Sequence, residues 1–186
     1  MQLISQRSVP ASIEATWAAL NDPETLKACI PGCESVERTS DHEFKVAMTA
    51  RVGPVSAKFN GKIALSDVVP PSSYRMSFEG QGGAAGFARG EAKVALVAED
   101  AGTRIDYSAT AQVGGKLAQI GSRLIDAAAA KVADDFFGRL VARLGGEARP
   151  AKPPATVATR GRGWRVAIAV AIIILALVLY WLTRRA

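Results

Sequence analysis

The sequence predicts an α+β fold: a curved antiparallel sheet of about seven strands, a long C-terminal helix that the sheet wraps, and a single transmembrane helix after it. Three observations carry this expectation. Apolar residues recur with a period of two through much of residues 44–113, they recur every fourth residue from Ile120 to Leu140, and from Val166 to Leu182 every residue is Ala, Val, Ile, Leu, Tyr or Trp.

Taken in order, Met1–Arg7 lacks the apolar core of a signal peptide and opens the domain as a strand. Ser12 is placed to cap a short helix running through Leu20. Asp22-Pro23-Glu24 starts a second, with a capping side chain, a proline at the first helical position and an acid in the first turn. Pro31-Gly32 ends it.

The period then changes to two. Phe44, Val46, Met48 and Ala50 alternate with polar or small neighbours, as do Val55, Ala57, Phe59, Gly61, Ile63 and Leu65. Tyr74, Met76 and Phe78 follow the same rule, and so do Ile105, Tyr107, Ala109, Ala111 and Val113. Strands with one wet face belong to an antiparallel sheet. After Gly114-Gly115 the pattern returns to helical, with Ile120, Leu124, Ala128, Val132, Phe136 and Leu140 in an i, i+4 ladder that stops at Gly145-Gly146. One long helix over one long sheet is a helix-grip arrangement.

Many inward positions are small: Ala88, Gly90 and Ala92 on one strand, Ala109 and Ala111 on the next, Ala127 to Ala130 on the helix. Such residues either leave an apolar cavity between helix and sheet or let the two approach closely, and the pattern alone leaves both open.

Catalytic sets are sparse. The one histidine, His42, lies between Asp41 and Glu43 at an expected hairpin, so no Ser/His/Asp set or zinc-binding histidine pair is available. Cys29 and Cys33 have no further Cys/His partners at metal-site spacing and read as two reduced thiols near a turn. Gly80 to Gly86 lacks dinucleotide-loop spacing and reads as a hairpin over one end of the sheet, with Phe87 as a lid. Asp134-Asp135 beside Phe136-Phe137 reads as a helix with one wet and one buried side. A binding protein is expected rather than an enzyme.

The charge separates cleanly. Residues 1–144 carry 16 basic and 16 acidic side chains, while residues 145–186 carry seven basic residues against Glu147 alone and supply the whole net charge of +6. A basic excess confined to the flanks of an apolar segment points to lipid head groups and away from nucleic acid. The 17 residues Val166–Leu182 would make a helix of about 26 Å, near the ~30 Å of a bilayer core. Arg165, Arg184 and Arg185 can snorkel, and Trp164, Tyr180 and Trp181 occupy belt positions. The expected organisation is a domain over 1–144, a Pro/Gly/Arg linker over 145–163 and an anchor over 164–183. With no signal peptide, the domain is expected on the cytoplasmic side of a single-pass membrane protein.

Trp17 to Pro23, Leu26-Lys-Ala-Cys-Ile-Pro-Gly32, Gly61, Gly80 to Gly90, Val113-Gly-Gly-Lys-Leu-Ala-Gln-Ile-Gly-Ser-Arg-Leu-Ile125 and Phe136-Phe137 together resemble the carbon monoxide dehydrogenase G-subunit family. That family belongs to the helix-grip superfamily of START-type lipid carriers and polyketide cyclases. The resemblance covers Met1 to about Leu144. It implies an accessory protein that recruits a molybdenum hydroxylase of the carbon monoxide dehydrogenase type to the membrane, where a quinone is a natural electron acceptor. With the tail and the possible cavity, it leads to the expectation of a bound quinone or isoprenoid lipid and of no covalently held cofactor. The lining residues expected on this basis are Met48, Phe59, Met76, Phe78, Tyr107, Leu117, Ile120, Leu124 and Ala128, under the Phe87 lid. A ligand-free docking scaffold and, last, a lipid-directed cyclase or hydrolase are the alternatives.

Overall fold

The structure, a computed structural model, describes residues 2–145. Within them the chain runs β1 (Gln2–Val9), α1 (Ile13–Asn21), α2 (Pro23–Cys29), β2 (Cys33–Ser40), β3 (Glu43–Val52), β4 (Val55–Val69), β5 (Ser73–Gln81), β6 (Phe87–Glu99), β7 (Gly102–Gly114), α3 (Lys116–Gln119) and α4 (Ser122–Arg143). The strands form one seven-stranded sheet in the order β1-β7-β6-β5-β4-β3-β2, and every neighbouring pair is antiparallel. Six consecutive hairpin-linked strands and a first strand returning beside the last give the expected antiparallel sheet of seven strands, although the period-two pattern does not mark β2.

The two small helices start where their caps put them. Ser12 Oγ accepts the Ala15 N–H at 3.2 Å. Asp22 does more, since one of its oxygens accepts both the Thr25 N–H at 2.8 Å and the Thr25 hydroxyl at 2.6 Å. Its own N–H closes the end of α1 on the Ala19 carbonyl, so one residue stops one helix and starts the next.

The expected single C-terminal helix breaks at Gly121, whose φ of +95° belongs to glycine. Ile120 therefore caps the short α3 and is not part of α4. The i, i+4 ladder also fails to mark the buried face. Four residues advance a helix by more than one turn, so such a ladder winds round it by about 40° per step. Leu140 is 0% exposed, but Val132 is 42% and Leu124 50% exposed. Ala133 and Ala129, which share the face of Leu140, are half-buried instead.

The main core lies at the C-terminal end of α4, where Leu140 and Val141 meet Val9, Leu20, Cys29, Tyr74, Val94, Leu96 and Ile105. A smaller cluster gathers Phe59, Ala85 and Leu117 beneath the β5–β6 connection, with Met48, Val113 and Ile120 around them. The outer face of the sheet is polar, with ion pairs Lys62–Glu43 at 2.8 Å, Arg75–Asp67 at 3.0 Å and Arg104–Glu99 at 2.6 Å. Among the described residues, no helix is long and apolar enough to cross a membrane. The expected linker and the anchor residues Trp164, Arg165, Tyr180, Trp181, Arg184 and Arg185 lie outside the described residues.

Candidate ligand cavity

A cavity of about 210 Å³ lies between the inner face of the sheet and the helices. Its floor is Phe44 and Val46 of β3, Ile63 and Leu65 of β4, Tyr74 and Met76 of β5, Ala92 and Val94 of β6, and Ile105 and Tyr107 of β7. Leu20 of α1, Leu26 of α2 and Ile30 close one side, and Phe136 and Phe137 of α4 form the roof. These positions meet because each strand contributes alternate residues to one face, while Asp22 turns α1 into α2 across the end of the sheet.

The small inward residues have divided tasks. Gly90 faces Phe78 across the β5–β6 pair, and a Cβ there would overlap both the Phe78 ring and the Thr110 carbonyl oxygen. Close approach explains this glycine. Ala92, two residues on, opens onto the cavity. Both readings of the small-residue pattern are therefore realised, at different positions.

The wall contains no charged side chain, and the residues in it that carry a hydroxyl are Tyr74 and Tyr107. Burial pushes the Tyr74 phenol well above its ordinary value, which keeps it neutral at any physiological pH. Tyr107 is held by aromatic contacts. Its ring stacks on Phe137 with centroids 5.0 Å apart, and Phe137 in turn meets Phe136 edge-on at 5.2 Å. Arg7 lies over the far side of this group, 5.9 Å from the Phe137 ring centre, and pairs with Asp134 of α4. The Tyr107 hydroxyl oxygen is buried and has no hydrogen-bond partner among the described residues. A buried hydroxyl left unpaired costs about 1–3 kcal/mol.

Of the lining residues expected from sequence, Met76 and Tyr107 reach this cavity. Met48, Phe59, Leu117 and Ile120 assemble in the separate cluster under the β5–β6 connection. Phe78 is taken up by Gly90, Leu124 is half exposed near the β3–β4 turn, and Ala128 is half-buried outside the cavity wall. Phe87 requires a correction. It shares the outer face with Arg89 and Glu91, its ring covers Gly114 on β7, and Arg89 lies 5.8 Å over it. Side chains alternate along a strand, so an odd position beside inward Ala88 must point away from the helix. Sequence reading missed the wall contributed by Leu20, Leu26 and Ile30. The apolar spacing of the two small helices was the available signal.

A wider depression of about 740 Å³ lies mostly over the outer face, among Lys62, Ser77, Glu79, Arg89, Glu91 and Gln112. These side chains are laddered with one another, as in the Arg89–Gln112 hydrogen bonds of 3.2 and 3.3 Å, so this is the saddle of a twisted sheet. His42 is exposed in the β2–β3 turn. Cys29 is buried and Cys33 half-buried, both are free, and burial raises both thiols above their ordinary value. Among the described residues no group of three or more His, Cys, Asp or Glu side chains could hold a metal ion.

An antiparallel sheet gripping a C-terminal helix over an apolar cavity is the START-like, helix-grip class of fold. Within that class the chain belongs to the CoxG family of carbon monoxide dehydrogenase subunits, which it matches over residues 6–145. It is 30% identical to a conserved protein from Geobacillus kaustophilus, over 77% of this chain and 95% of that one, with a TM-score of 0.73. A START superfamily protein from Mycobacterium smegmatis shares the fold at 15% identity and a TM-score of 0.57, over 77% of this chain and 96% of that one. A Rhizobium leguminosarum protein does so at 18% and 0.59, over 77% and 93%. No curated protein matches the chain.

Proposed function

We propose that this protein is a membrane-tethered accessory protein that takes an apolar ligand, a quinone or similar isoprenoid lipid, into its helix-grip cavity and presents it to a molybdenum hydroxylase of the carbon monoxide dehydrogenase type. The observation that carries this reading is the 210 Å³ apolar cavity. A dry cavity of ~150 Å³ is known to hold a benzene ring, so this one has room for a single substituted ring. A long isoprenoid tail would extend beyond it. Family membership supports the partner, since the family is defined as a subunit of that dehydrogenase.

The tail supports the place of action. Domain 1–144, linker 145–163 and anchor 164–183 would keep the cavity near the bilayer on the cytoplasmic side, with Trp164, Arg165, Tyr180, Trp181, Arg184 and Arg185 at the two interfaces. A tethered carrier shields an apolar molecule from water while holding it at high local concentration near its acceptor.

The test is mass spectrometry of small molecules released from the full chain, purified from its own membrane, beside a chain ending at Gly145. The shorter chain is expected to retain a quinone or lipid in near-equal amount. Retention by the full chain alone would leave a docking scaffold as the better reading. Ala92→Phe separates the same readings in function: filling the cavity should abolish ligand retention and electron transfer while enzyme recruitment persists, whereas a scaffold would lose neither.

A further inference from the structure

We infer that the end of the domain formed by the β3–β4 turn, α3 and the first turn of α4 is a docking surface for anionic lipid head groups. This goes beyond the carrier reading: it draws on the tether but not on any occupant of the cavity. Two observations meet at this end. Arg51 of β3, Lys116 of α3 and Arg123 of α4 are exposed, and none of them forms an ion pair among the described residues. Between them Leu124 is 50% exposed and joins none of the three apolar clusters of the core. A Cβ at Gly53 would lie 3.9 Å from Leu124 Cδ1, which sets this side chain beside the β3–β4 turn. Beneath, Val52, Val55 and Ile120 pack on Phe59 and Leu117, so the end has a firm apolar base.

Charge complementarity selects the occupant. The first turn of α4 holds no acid, and nearby Lys58 is neutralised by Glu34. Three cations therefore stand against Asp126, while residues 1–144 as a whole carry equal numbers of both signs. An exposed leucine flanked by cations suits the boundary of an anionic bilayer, where the cations meet phosphates and the leucine enters the acyl edge. The opposite end, from which the chain leaves at Gly145, is less suited. There Arg143 donates to the Thr25 hydroxyl at 3.3 Å, and Asp22 and Glu24 stand at the same terminus of α2. The tether reaches far enough for the chosen end: α4 has 22 residues and is about 33 Å long, whereas the 19 residues of 145–163 can span about 60 Å.

The test is hydrogen–deuterium exchange of the full chain in nanodiscs of phosphatidylcholine alone and of phosphatidylcholine with phosphatidylglycerol at roughly 3:1. In the mixed lipid the amides of residues 52–55 and 115–125 are expected to slow. In pure phosphatidylcholine, or in about 0.5 M salt, they are not. Arg51→Gln/Lys116→Gln/Arg123→Gln is expected to abolish that protection, while the amides around Leu140 stay as slow as in wild type. Protection that is equal in both lipids, absent from both, or found instead around Lys27, Arg139 and Arg143 overturns the surface; the tether stands as long as the chain stays in the nanodiscs. If the chain does not enter nanodiscs, the tether falls and sedimentation with mixed vesicles decides the surface by itself. Each cation near an anionic leaflet contributes about fivefold in partition, so the triple variant is expected to bind roughly a hundredfold more weakly. Equal binding by the two proteins, or none by wild type, overturns the inference.

Discussion

Gly83 and Gly86 sit three residues apart in the β5–β6 connection and show how a single position acquires its requirement. Both have positive φ, +57° and +112°. A Cβ at Gly83 would meet nothing within 4 Å, whereas at Gly86 it would overlap the Gly114 carbonyl oxygen on the neighbouring strand. Gly83→Ala is therefore expected to cost only the left-handed backbone term, about 1–2 kcal/mol. Gly86→Ala adds a clash with backbone that cannot move aside and should cost more, about 3 kcal/mol or above. Urea unfolding of the two variants checks the order. Glycine content alone marks both residues as turn formers, but only the packing of β5–β6 against β7 separates them.

At the scale of elements, Asp22 joins α1 to α2, and its two hydrogen bonds from Thr25 hold the carboxyl below its ordinary value of 3.8. A depressed carboxyl contributes stability that is fully present above the ordinary value and is lost as pH falls through the lower folded value. Asp22→Asn keeps the cap without the titration. Relative to wild type, the variant is expected to lose less stability between pH 7 and pH 3, and equal losses in urea midpoint would contradict the assignment.

Helix α4 yields a second contrast. Leu140, fully buried, should cost about 2–5 kcal/mol on substitution by alanine. Leu124 and Val132, half exposed on the part of the ladder that has wound away from the core, should tolerate lysine within about 0.5 kcal/mol. Thermal unfolding of the three single variants separates them.

For the whole molecule, the proposed tether makes a prediction about partition. The full chain is expected to sediment with phosphatidylcholine vesicles and to remain bound in 0.5 M salt, because an inserted span is held by apolar burial rather than by screened charge. A chain ending at Gly145 carries balanced charge apart from its termini and is expected in the supernatant. Release of the full chain by salt would reduce the tail to an electrostatic contact and remove the anchor.

Local chemistry was enough to place the elements. Ser12 and Asp22 mark helix starts whatever surrounds them, and period-two alternation assigns strands because side chains alternate across any sheet. The same locality explains the resemblance carried by Cys29-Ile-Pro-Gly32 and by Gly114 to Gly121. Where the cavity lies was decided only in three dimensions. Its wall draws residues from α1, α2, five strands and the last third of α4, and no local signal says which inward residues fill space and which leave it. Gly90 and Ala92 look alike in sequence; Phe78 fills the space beside one, while the cavity opens beside the other. The ladder on α4 joined buried Leu140 to exposed Val132 and Leu124, because a spacing of four residues follows a winding line whereas the sheet packs against a straight one. Tyr107 was legible as an inward residue, but that its hydroxyl finds no partner depends on every neighbour the fold brings to it.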